Sequence, residues 1–416
     1  MKTVGIIAEY NPFHLGHRYH LQEAKSKTGS DNVVVVMSGN TVQRGDFSII
    51  DKFTRAKEAV INGADLVLEI PVCYSSQSAE IFAKGSIEIL NALGIVDCLA
   101  FGSESDDISE IKKISDILSN ENEEFQNILK EYLKEGISFP SARQKALEQY
   151  IDRDKSSKSE LLSSSNDILG IEYLKNLNRL KSNIVPHTIK RVSSTYNDTD
   201  INKLFPSATA IRKMLISEQN PESITNSTTE NMKLKLLENY RNNNIVSLDD
   251  YFDELKVVII REQVQISKYF EVNEGIENLI LKNIYKSSNL EDLIENIKSK
   301  RYTRTRIRRT LLNILLGIEK SDMYRIINSK SIPYTRILAF NDNGRRILKE
   351  IDYKSEERKI EIINKPSNFK PIDQIQQLKY KYDNIANLVY YSKMKIYNKN
   401  RIYSDLNMSP IYVKET

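Results

Sequence analysis

The first hundred residues alternate short runs of β-branched residues with longer helical patterns, and this alternation constrains the fold more than any other feature of the chain. Near-continuous apolar runs, such as VVVVM at 33–37 and DLVLEI at 65–70, lack the regular polar positions of a half-exposed strand. Strands of that kind need cover on both faces, as in a parallel sheet flanked by helices. The sequence therefore predicts an α/β fold with a parallel sheet.

The predicted strands and helices follow one another in βαβα order. Strands are predicted over residues 4–8, 33–37, 66–70 and 98–101, and helices over 16–27, 52–62 and 79–93. In open parallel sheets, ligands bind beyond the carboxyl ends of the strands. We therefore expect the functional site in the loops after Ala8, Met37, Ile70 and Phe101.

The remaining sequence divides the chain into two parts. With 416 residues, and about 150 residues per domain as a guide, two or three domains are expected. A catalytic α/β domain over residues 1–220 includes a Ser-rich segment near 156–166 that is a candidate lid. An Asn/Ser/Thr-rich stretch at 217–231 then leads to long helical patterns rich in Lys and Arg. We predict a second, mostly α-helical domain over 225–416.

Composition excludes several classes of protein. The 60 basic and 56 acidic residues give a formal net charge of +4, which neither requires nor excludes a polyanionic partner. Two cysteines, Cys73 and Cys98, are too few for a disulfide framework or a cysteine metal cluster. No stretch approaches the roughly 18 apolar residues of a membrane span, and the N-terminal apolar run breaks at Glu9. We expect a soluble, cytoplasmic protein, and nothing in the sequence predicts a protein partner.

Three of the four histidines, His14, His17 and His20, lie within seven residues directly after the first predicted strand. His14 and His17 belong to an HxGH motif at a strand-to-helix junction. Backbone N–H groups and the helix dipole favour an anion there, and Gly16 lets a phosphate approach closely. Both imidazoles can donate to phosphate oxygens as charge develops during attack on an α-phosphorus. His14 and His17 are therefore predicted to be catalytic through transition-state stabilisation.

Two other interpretations of these histidines exist. The HxxH spacing can hold a metal ion, but no cysteine or carboxylate follows at a zinc-like interval, so no metal site is predicted. A purely structural role is the other alternative. The rigid turn at Asn11 and Pro12 suits side chains that are presented to a ligand better than side chains that are buried.

The HxGH motif resembles the HIGH-type nucleotidyltransferase superfamily, and this resemblance implies a Rossmann-like parallel sheet. Longer segments are similar to the bacterial tRNA(Met) cytidine acetate ligase family: GIIAEYNPFHLGH, MSGNTVQRGDFSIIDKFTRAKEAVINGADLVLEIPV, LAFGSESDD and KRYTRTRIRRTLLNILLGI. The similarity covers nearly the whole chain. It implies a ligase that uses ATP to convert acetate into acetyl adenylate, with release of pyrophosphate. The acetyl group then passes to the exocyclic amine of the wobble cytidine of elongator tRNA(Met).

The same resemblance implies an ATP site. Its first part is the loop Ile7, Ala8, Glu9, Tyr10, Asn11, Pro12, Phe13, His14, Leu15, Gly16, His17, Arg18, Tyr19 and His20. Its second part is Gly102, Asn166, Arg191, Ser207, Thr209 and Arg212. A side chain at position 102 would obstruct the nucleotide, while Asn166 offers amide hydrogen bonds and Arg191 a guanidinium. Mg²⁺ is expected as the counterion of ATP.

Two polar segments have functional and ordinary interpretations. Ser207, Thr209 and Arg212 form an SxTxxR element, which superfamily relatives place at a helix N-terminus facing phosphates; an ordinary helix cap explains the serine equally well. The loop after the second strand carries Gln43, Arg44 and Asp46. A solvated loop is the commoner meaning of such a segment, but the resemblance, rather than the spacing, favours a binding segment for acetate or cytidine.

A basic segment in the second part points to nucleic acid. No acidic residue interrupts the cations between 298 and 309. A charge run is usually a solvated helix face, but this density of uncompensated cations favours contact with an RNA backbone. The residues predicted to bind tRNA are Lys300, Arg301, Arg304, Arg306, Arg308 and Arg309.

Two alternatives to the ligase remain at the level of the sequence. A small-molecule nucleotidyltransferase would use the same histidines on a metabolite phosphate, and its helical part would be a support. An RNA-binding adaptor would have a degenerate nucleotide fold. The intact HxGH motif argues against the adaptor, and the basic helix argues against the metabolite enzyme.

Overall fold

The computed structural model describes residues 1–137, 139–152, 164–191, 207–218, 220–224, 227–354, 359–394 and 405–414. The candidate lid lies outside these ranges at 156–163. The strands are β1 (Thr3–Ala8), β2 (Asn32–Ser38), β3 (Thr41–Val42), β4 (Asp46–Phe47), β5 (Leu66–Ile70), β6 (Cys98–Ser103), β7 (Val185–Lys190), β8 (Tyr334–Phe340), β9 (Glu361–Ile363) and β10 (Ile411–Tyr412).

Helices cover both faces of the sheet and fill most of the second half of the chain. The helices of the first half are α1 (Leu15–Thr28), α2 (Lys52–Ile61), α3 (Val72–Ser75), α4 (Ala79–Ala92), α5 (Ile108–Ser119), α6 (Glu123–Lys134), α7 (Phe139–Asp152), α8 (Ser165–Leu180) and α9 (Ala208–Ile216). Those of the second half are α10 (Glu230–Arg241), α11 (Phe252–Glu262), α12 (Ile276–Ile284), α13 (Leu290–Ile297), α14 (Arg304–Leu316), α15 (Lys320–Ile327), α16 (Asp342–Lys354) and α17 (Gln374–Ser392). No helix among the described residues is long and apolar enough to cross a membrane.

The main sheet has the order β10-β8-β5-β2-β1-β6-β7, with β9 paired to β8. The five strands from β5 to β7 are parallel. The chain runs outward from β1 to β2 and β5 on one side, and to β6 and β7 on the other. This reversal of direction opens a crevice beyond the carboxyl ends of β1 and β6, where such folds bind ligands. The predicted α/β fold with a parallel, Rossmann-like sheet is confirmed.

Strand β2 shows why these sequences form a doubly covered sheet. All seven of its residues are buried. Successive side chains point to opposite faces, so Val34 packs into the hydrophobic cluster on one face and Val33 and Val35 into the cluster on the other. Helix α2 then begins at Asp51, whose carboxylate accepts from the N–H groups of Phe53 and Thr54 at 3.0 and 3.1 Å.

The last part of the chain extends the same sheet, which the sequence analysis did not anticipate. Strand β8 pairs antiparallel with β5, and β9 and β10 pair with β8. The run YTRILAF at 334–340 was not recognised as a strand because a threonine and an arginine interrupt its apolar pattern. Arg336 is nevertheless buried, since it donates to Asp405 at 2.9 Å. The helices α10 to α15 match the predicted helical patterns, whereas the strands join the two predicted parts in one sheet.

Candidate functional site

A cleft with an internal volume of about 870 Å³ lies at the carboxyl ends of β1, β6 and β7. Its size is within the range of about 300–1,000 Å³ that is usual for ligand sites. The wall on the side of the sheet carries most of the predicted ATP residues: Ile7, Ala8, Glu9, Tyr10, Asn11, His14, Gly16, His17, Tyr19, His20, Gly102, Asn166, Arg191, Ser207, Thr209 and Arg212. The fold therefore brings together residues that are up to 205 positions apart in the chain.

Four residues of the predicted ATP loop do not line the cleft. Pro12 and Phe13 are buried beneath it, and the Phe13 ring packs against His17 with the ring centroids 5.7 Å apart. Leu15 and Arg18 lie in the first turn of α1, which directs them away from the cleft because neighbouring helical positions point in different directions. Phe13 thus supports one of the two histidines of the HxGH motif.

The two histidines of the HxGH motif form a stacked pair. Their ring centroids are 3.7 Å apart, with an angle of 21° between the ring planes. The backbone N–H of His14 donates to Nδ1 of His17 at 3.2 Å. This acceptor role leaves the proton of a neutral His17 ring on Nε2. The Tyr10 ring packs edge-on against His17 at 4.8 Å, so the orientation of the ring is fixed from two sides.

Burial and nearby cations lower the pKa values of all three clustered histidines. Burial, followed by the charges of Arg191 and Arg212, lowers the pKa of His14 to about 3. Burial and Arg191 lower the pKa of His20 to about 4. Burial and the neighbouring histidines place the pKa of His17 well below its ordinary value. Such rings are neutral near pH 7 and are weak bases, which supports hydrogen-bond donation to a phosphate over proton abstraction.

Two arginines, the buried Arg55 and the half-buried Arg212, hold the loop that carries the motif. Arg55 has no exposed surface, and its Nη1 donates to the carbonyl oxygens of Glu9 at 2.5 Å and Ser38 at 3.1 Å. Nη1 of Arg212 donates to the carbonyl oxygen of Asn11 at 2.6 Å. The loop is therefore preorganised before a ligand binds. The sequence analysis missed Arg55, because it lies in an ordinary helical pattern with no local sign of its role.

At the N-terminus of α9, the SxTxxR element both caps the helix and lines the cleft. The Ser207 hydroxyl caps the helix by accepting from the Ala210 N–H at 3.1 Å. Ser207 and Thr209 also line the cleft, and the Thr209 hydroxyl accepts from Arg212 at 3.0 Å. The positive end of the helix dipole thus faces the cleft beside a guanidinium, an arrangement that favours an anion.

A carboxylate missed by the sequence analysis engages the residues at the end of β6. The Asn166 amide donates to Oε1 of Glu104 at 2.6 Å, and Nε of Arg191 lies 3.8 Å from the same oxygen. Oε2 of Glu104 is buried and has no hydrogen-bond partner among the described residues. The position of Glu104 directly after the strand, in LAFGSESDD, is the sequence signal that could have identified it.

Gly102 leaves open space in front of β6. A Cβ atom placed there would lie 3.6 Å from Cγ of Arg191, which is an ordinary contact. The protein itself therefore accommodates a larger residue at this position. A requirement for glycine arises only when a ligand approaches the strand, as expected for a nucleotide.

The second wall of the cleft is built from the β3–β4 hairpin, the loop at 271–274, the segment 301–303 and the N-terminal half of α14. Its residues are Gln43, Arg44, Glu271, Asn273, Glu274, Arg301, Thr303, Thr305, Arg306 and Arg309. Gln43 and Arg44 were singled out by the sequence, and so were the three arginines of the basic segment. Nothing local in the sequence marks the loop at 271–274, because its position depends on how α14 packs against the hairpin.

The prediction that the basic segment is uncompensated is wrong. Acidic partners come from other elements, so the absence of acids within 298–309 does not leave free charge. Arg308 is mostly buried, and its Nη2 donates to Asp46 at 2.7 Å and to Asp249 at 3.2 Å. The remaining pairs are Arg304 with Glu291 and Glu295, Arg306 with Glu274, and Arg309 with Glu271.

The six residues predicted to bind tRNA therefore divide into four groups. Arg301, Arg306 and Arg309 face the cleft, whereas the Lys300 side chain lies outside it. Arg308 joins α14 to the hairpin, and Arg304 pairs with α13. The hairpin tip packs tightly on α14, since a Cβ atom at Gly45 would lie 2.3 Å from the backbone nitrogen of Arg309.

Comparison with known proteins identifies the family. Residues 1–403 match the HIGH Nucleotidyl Transferase family. The chain is 42% identical over 416 residues to the tRNA(Met) cytidine acetate ligase of Clostridium novyi, with 100% of both chains covered. It is 43% identical over 418 residues to that of Clostridium perfringens, with 99% of each covered. The chain belongs to the tRNA(Met) cytidine acetate ligase family.

Solved structures of this ligase family share the fold. The apo crystal structure of Thermotoga maritima TmcAL matches with a TM-score of 0.92, and its complex with alpha-thio ATP matches with a TM-score of 0.89. Both are 33% identical to this chain and cover 100% of both chains. The family predicted from the sequence is confirmed, and the structural neighbour binds an analogue of the nucleotide that the sequence predicts for this cleft.

Proposed function

We propose that this protein is an ATP-dependent ligase that converts acetate into acetyl adenylate and acetylates the exocyclic amine of the wobble cytidine of elongator tRNA(Met). The product is N4-acetylcytidine. One observation carries the proposal: a single cleft has the HxGH histidines on one wall and three arginines of the basic segment on the other. Nucleotide activation and contact with a polyanion can therefore occur in the same space.

The first step suits the wall that carries the histidines. An oxygen of acetate attacks the α-phosphorus of ATP, a P–O bond forms, and pyrophosphate leaves with the electron pair of the broken bond. Acetate needs no deprotonation near pH 7, so a strong base is unnecessary. Nε2–H of His17 and the His14 ring would stabilise the negative charge that develops on the phosphate oxygens. Arg191 and the N-terminus of α9 add positive potential.

The second step transfers the acetyl group. The exocyclic nitrogen of cytidine forms a C–N bond to the acetyl carbon, and the C–O bond of the mixed anhydride breaks. AMP leaves with that electron pair, and one amine proton is released to solvent. The cytidine amine is a poor nucleophile, which is the chemical reason for activating acetate first.

Mg²⁺ is proposed as the counterion of ATP. Among the described residues, no group of three or more His, Cys, Asp and Glu side chains is arranged to hold a metal. Mg²⁺ binds few protein ligands when it can bridge substrate phosphates and keep its waters. The ion would therefore enter with the triphosphate, where it shields negative charge during the attack.

The second wall favours the ligase over a small-molecule nucleotidyltransferase. This wall carries more positive charge than binding of one metabolite phosphate beside ATP requires. Its three arginines, Arg301, Arg306 and Arg309, suit the several phosphates of an RNA loop. Relatives named tRNA(Met) cytidine acetate ligase align with this chain over their whole length. A tRNA substrate also places the proposed enzyme in the cytoplasm.

Incubation of the purified protein with ATP, radiolabelled acetate and elongator tRNA(Met) tests the proposal. The expected product is labelled tRNA in which nucleoside digestion places the label in N4-acetylcytidine at the wobble position. A tRNA carrying uridine at that position is the matched control and should remain unlabelled. Label that never enters tRNA, despite consumption of ATP, would contradict the proposed function.

A further inference from the structure

The second wall of the cleft presents a fixed set of groups rather than a diffuse patch of charge. Four cations, Arg44, Arg301, Arg306 and Arg309, share this wall with two carboxylates, Glu271 and Glu274. The excess of positive charge favours a phosphate-bearing ligand. The carboxylates hold individual guanidinium groups in place, so the wall has defined geometry before a ligand arrives.

Arg306 is the most constrained of these cations. Its Nη1 donates to Glu274 at 3.0 Å and its Nη2 donates to the side-chain oxygen of Asn273. The guanidinium carbon lies 5.3 Å from the centre of the Tyr302 ring. The hydroxyl of this buried tyrosine donates to the carbonyl oxygen of Glu274, which fixes the ring in turn. Arg306 thus offers a supported guanidinium plane, a surface on which unpaired bases stack.

Asn273 has hydrogen-bond donors available beside that plane. Its carbonyl oxygen accepts from Arg306, which orients the amide and leaves the NH₂ group as the ligand-binding end. Within the described part of the chain, no acceptor receives a hydrogen bond from this nitrogen. Asn273 is exposed and lines the cleft. An N–H donor of this group can pair with O2 or N3, the two acceptors that cytosine keeps when its exocyclic amine is reacting.

Arg309 can serve a phosphate next to such a base. Its Nε donates to both oxygens of Glu271 at 3.1 Å. Its two terminal nitrogens have no hydrogen-bond acceptor within the described ranges. Guanidinium groups bind phosphate oxygens through these terminal N–H groups. A base on Arg306 and a phosphate on Arg309 would be three residues apart on one helix.

We propose that the second wall is the subsite for the acceptor nucleoside, in which Arg306 stacks on the base, Asn273 reads its edge and Arg309 binds a flanking phosphate. The inference rests on the proposed function. It requires the cytidine to leave the stack of the anticodon loop, as substrates of base-modifying enzymes do. The subsite and the HxGH wall share one cleft, so the exocyclic amine would point toward the acyl adenylate.

Variants of this wall separate base recognition from general attraction of RNA. Asn273→Asp removes the amide donors, and Arg306→Lys keeps the charge but removes the planar fork. Both should lower kcat/KM for acetyl transfer to elongator tRNA(Met) by about 10- to 100-fold, the usual range for one base contact. Acetate-dependent ATP–pyrophosphate exchange without tRNA should remain at the wild-type level, which also shows that the variants fold.

Arg304→Ala is the matched control, because this arginine lies on the same helix but pairs with α13 and does not line the cleft. Its transfer rate should stay within about twofold of wild type. The salt dependence of tRNA binding adds a second readout: Arg304→Ala should leave the slope unchanged, whereas loss of a phosphate contact in Arg309→Ala should reduce it by about one unit.

Three outcomes can be told apart. If the wild-type protein transfers acetyl groups and Asn273→Asp and Arg306→Lys match Arg304→Ala, the acceptor subsite lies elsewhere and the inference is overturned. If Arg306→Lys alone keeps full transfer, the arginine acts as a point charge and the stacking role is overturned. If the wild-type protein forms acetyl adenylate but never acetylates tRNA, the proposed function itself fails.

Discussion

The ammonium group of Lys52 lies 3.4 Å from a carboxylate oxygen of Asp405, although these residues are 353 positions apart in the chain. The Lys52 side chain is completely buried, and it also donates to Glu69 at 2.8 Å. Asp405 accepts a second charged hydrogen bond from Arg336 of β8. This network joins the start of α2 and the end of β5 to the last strands of the sheet.

Removing Lys52 should strongly destabilise the protein. Lys52→Ala leaves Glu69 without its buried cation and leaves Asp405 with Arg336 alone, and loss of one partner of a buried ion pair typically costs about 3–5 kcal/mol. Lys235→Ala is the control, because its pair with Glu238 is exposed and such pairs contribute less than about 1 kcal/mol. Urea unfolding of both variants measures the difference. Equal losses in free energy of unfolding would contradict a structural role for the network.

The sequence predicts the parts of the molecule that depend on local signals. Strands β1, β2, β5 and β6 are apolar runs, and the HxGH loop is defined by neighbouring residues, so these parts are predicted correctly. Strand β8 depends on Asp405 to neutralise Arg336, and residues so far apart leave no local pattern. The prediction of uncompensated charge on the basic helix is wrong for the same reason, because Glu271 and Glu274 approach the helix only in the folded chain.

Substitution of either histidine of the HxGH motif should suppress activation of acetate. His14→Ala and His17→Ala each remove a preorganised donor, which typically costs about 10²–10³ in rate. The measurement is acetate-dependent ATP–pyrophosphate exchange at saturating ATP. His187→Ala in β7 is the control, because that histidine lies outside the cleft. If either motif variant exchanges pyrophosphate as fast as the control, the substituted histidine has no catalytic role in activation.

The clustered histidines should not titrate near neutral pH in the free protein. With a pKa of about 3 for His14 and about 4 for His20, both rings are neutral above pH 5. In the unfolded chain they titrate near pH 6.5, so the unfolded state binds more protons between pH 4 and 6.5. Their contribution to stability is therefore lost as the pH falls through this window. Imidazole NMR signals of His14 or His20 that titrate near pH 6.5 would contradict the buried environment.

A methyl group at position 102 should affect nucleotide binding more than folding. Gly102→Ala places a Cβ atom 3.6 Å from Arg191, so the melting temperature should remain close to that of wild type. The KM for ATP should rise, because the methyl group occupies space that the nucleotide would use. Thermal unfolding and exchange kinetics of the same preparation separate the two effects. An unchanged KM would show that the nucleotide does not approach this end of β6.

The central claim is that this cleft forms an acyl adenylate from ATP and acetate before tRNA takes part. The most direct test is exchange of labelled pyrophosphate into ATP by the wild-type protein, with and without acetate, and with no tRNA present. We predict that label enters ATP only when acetate is present. Formation of ADP and acetyl phosphate, or exchange that proceeds equally well without acetate, would contradict the account.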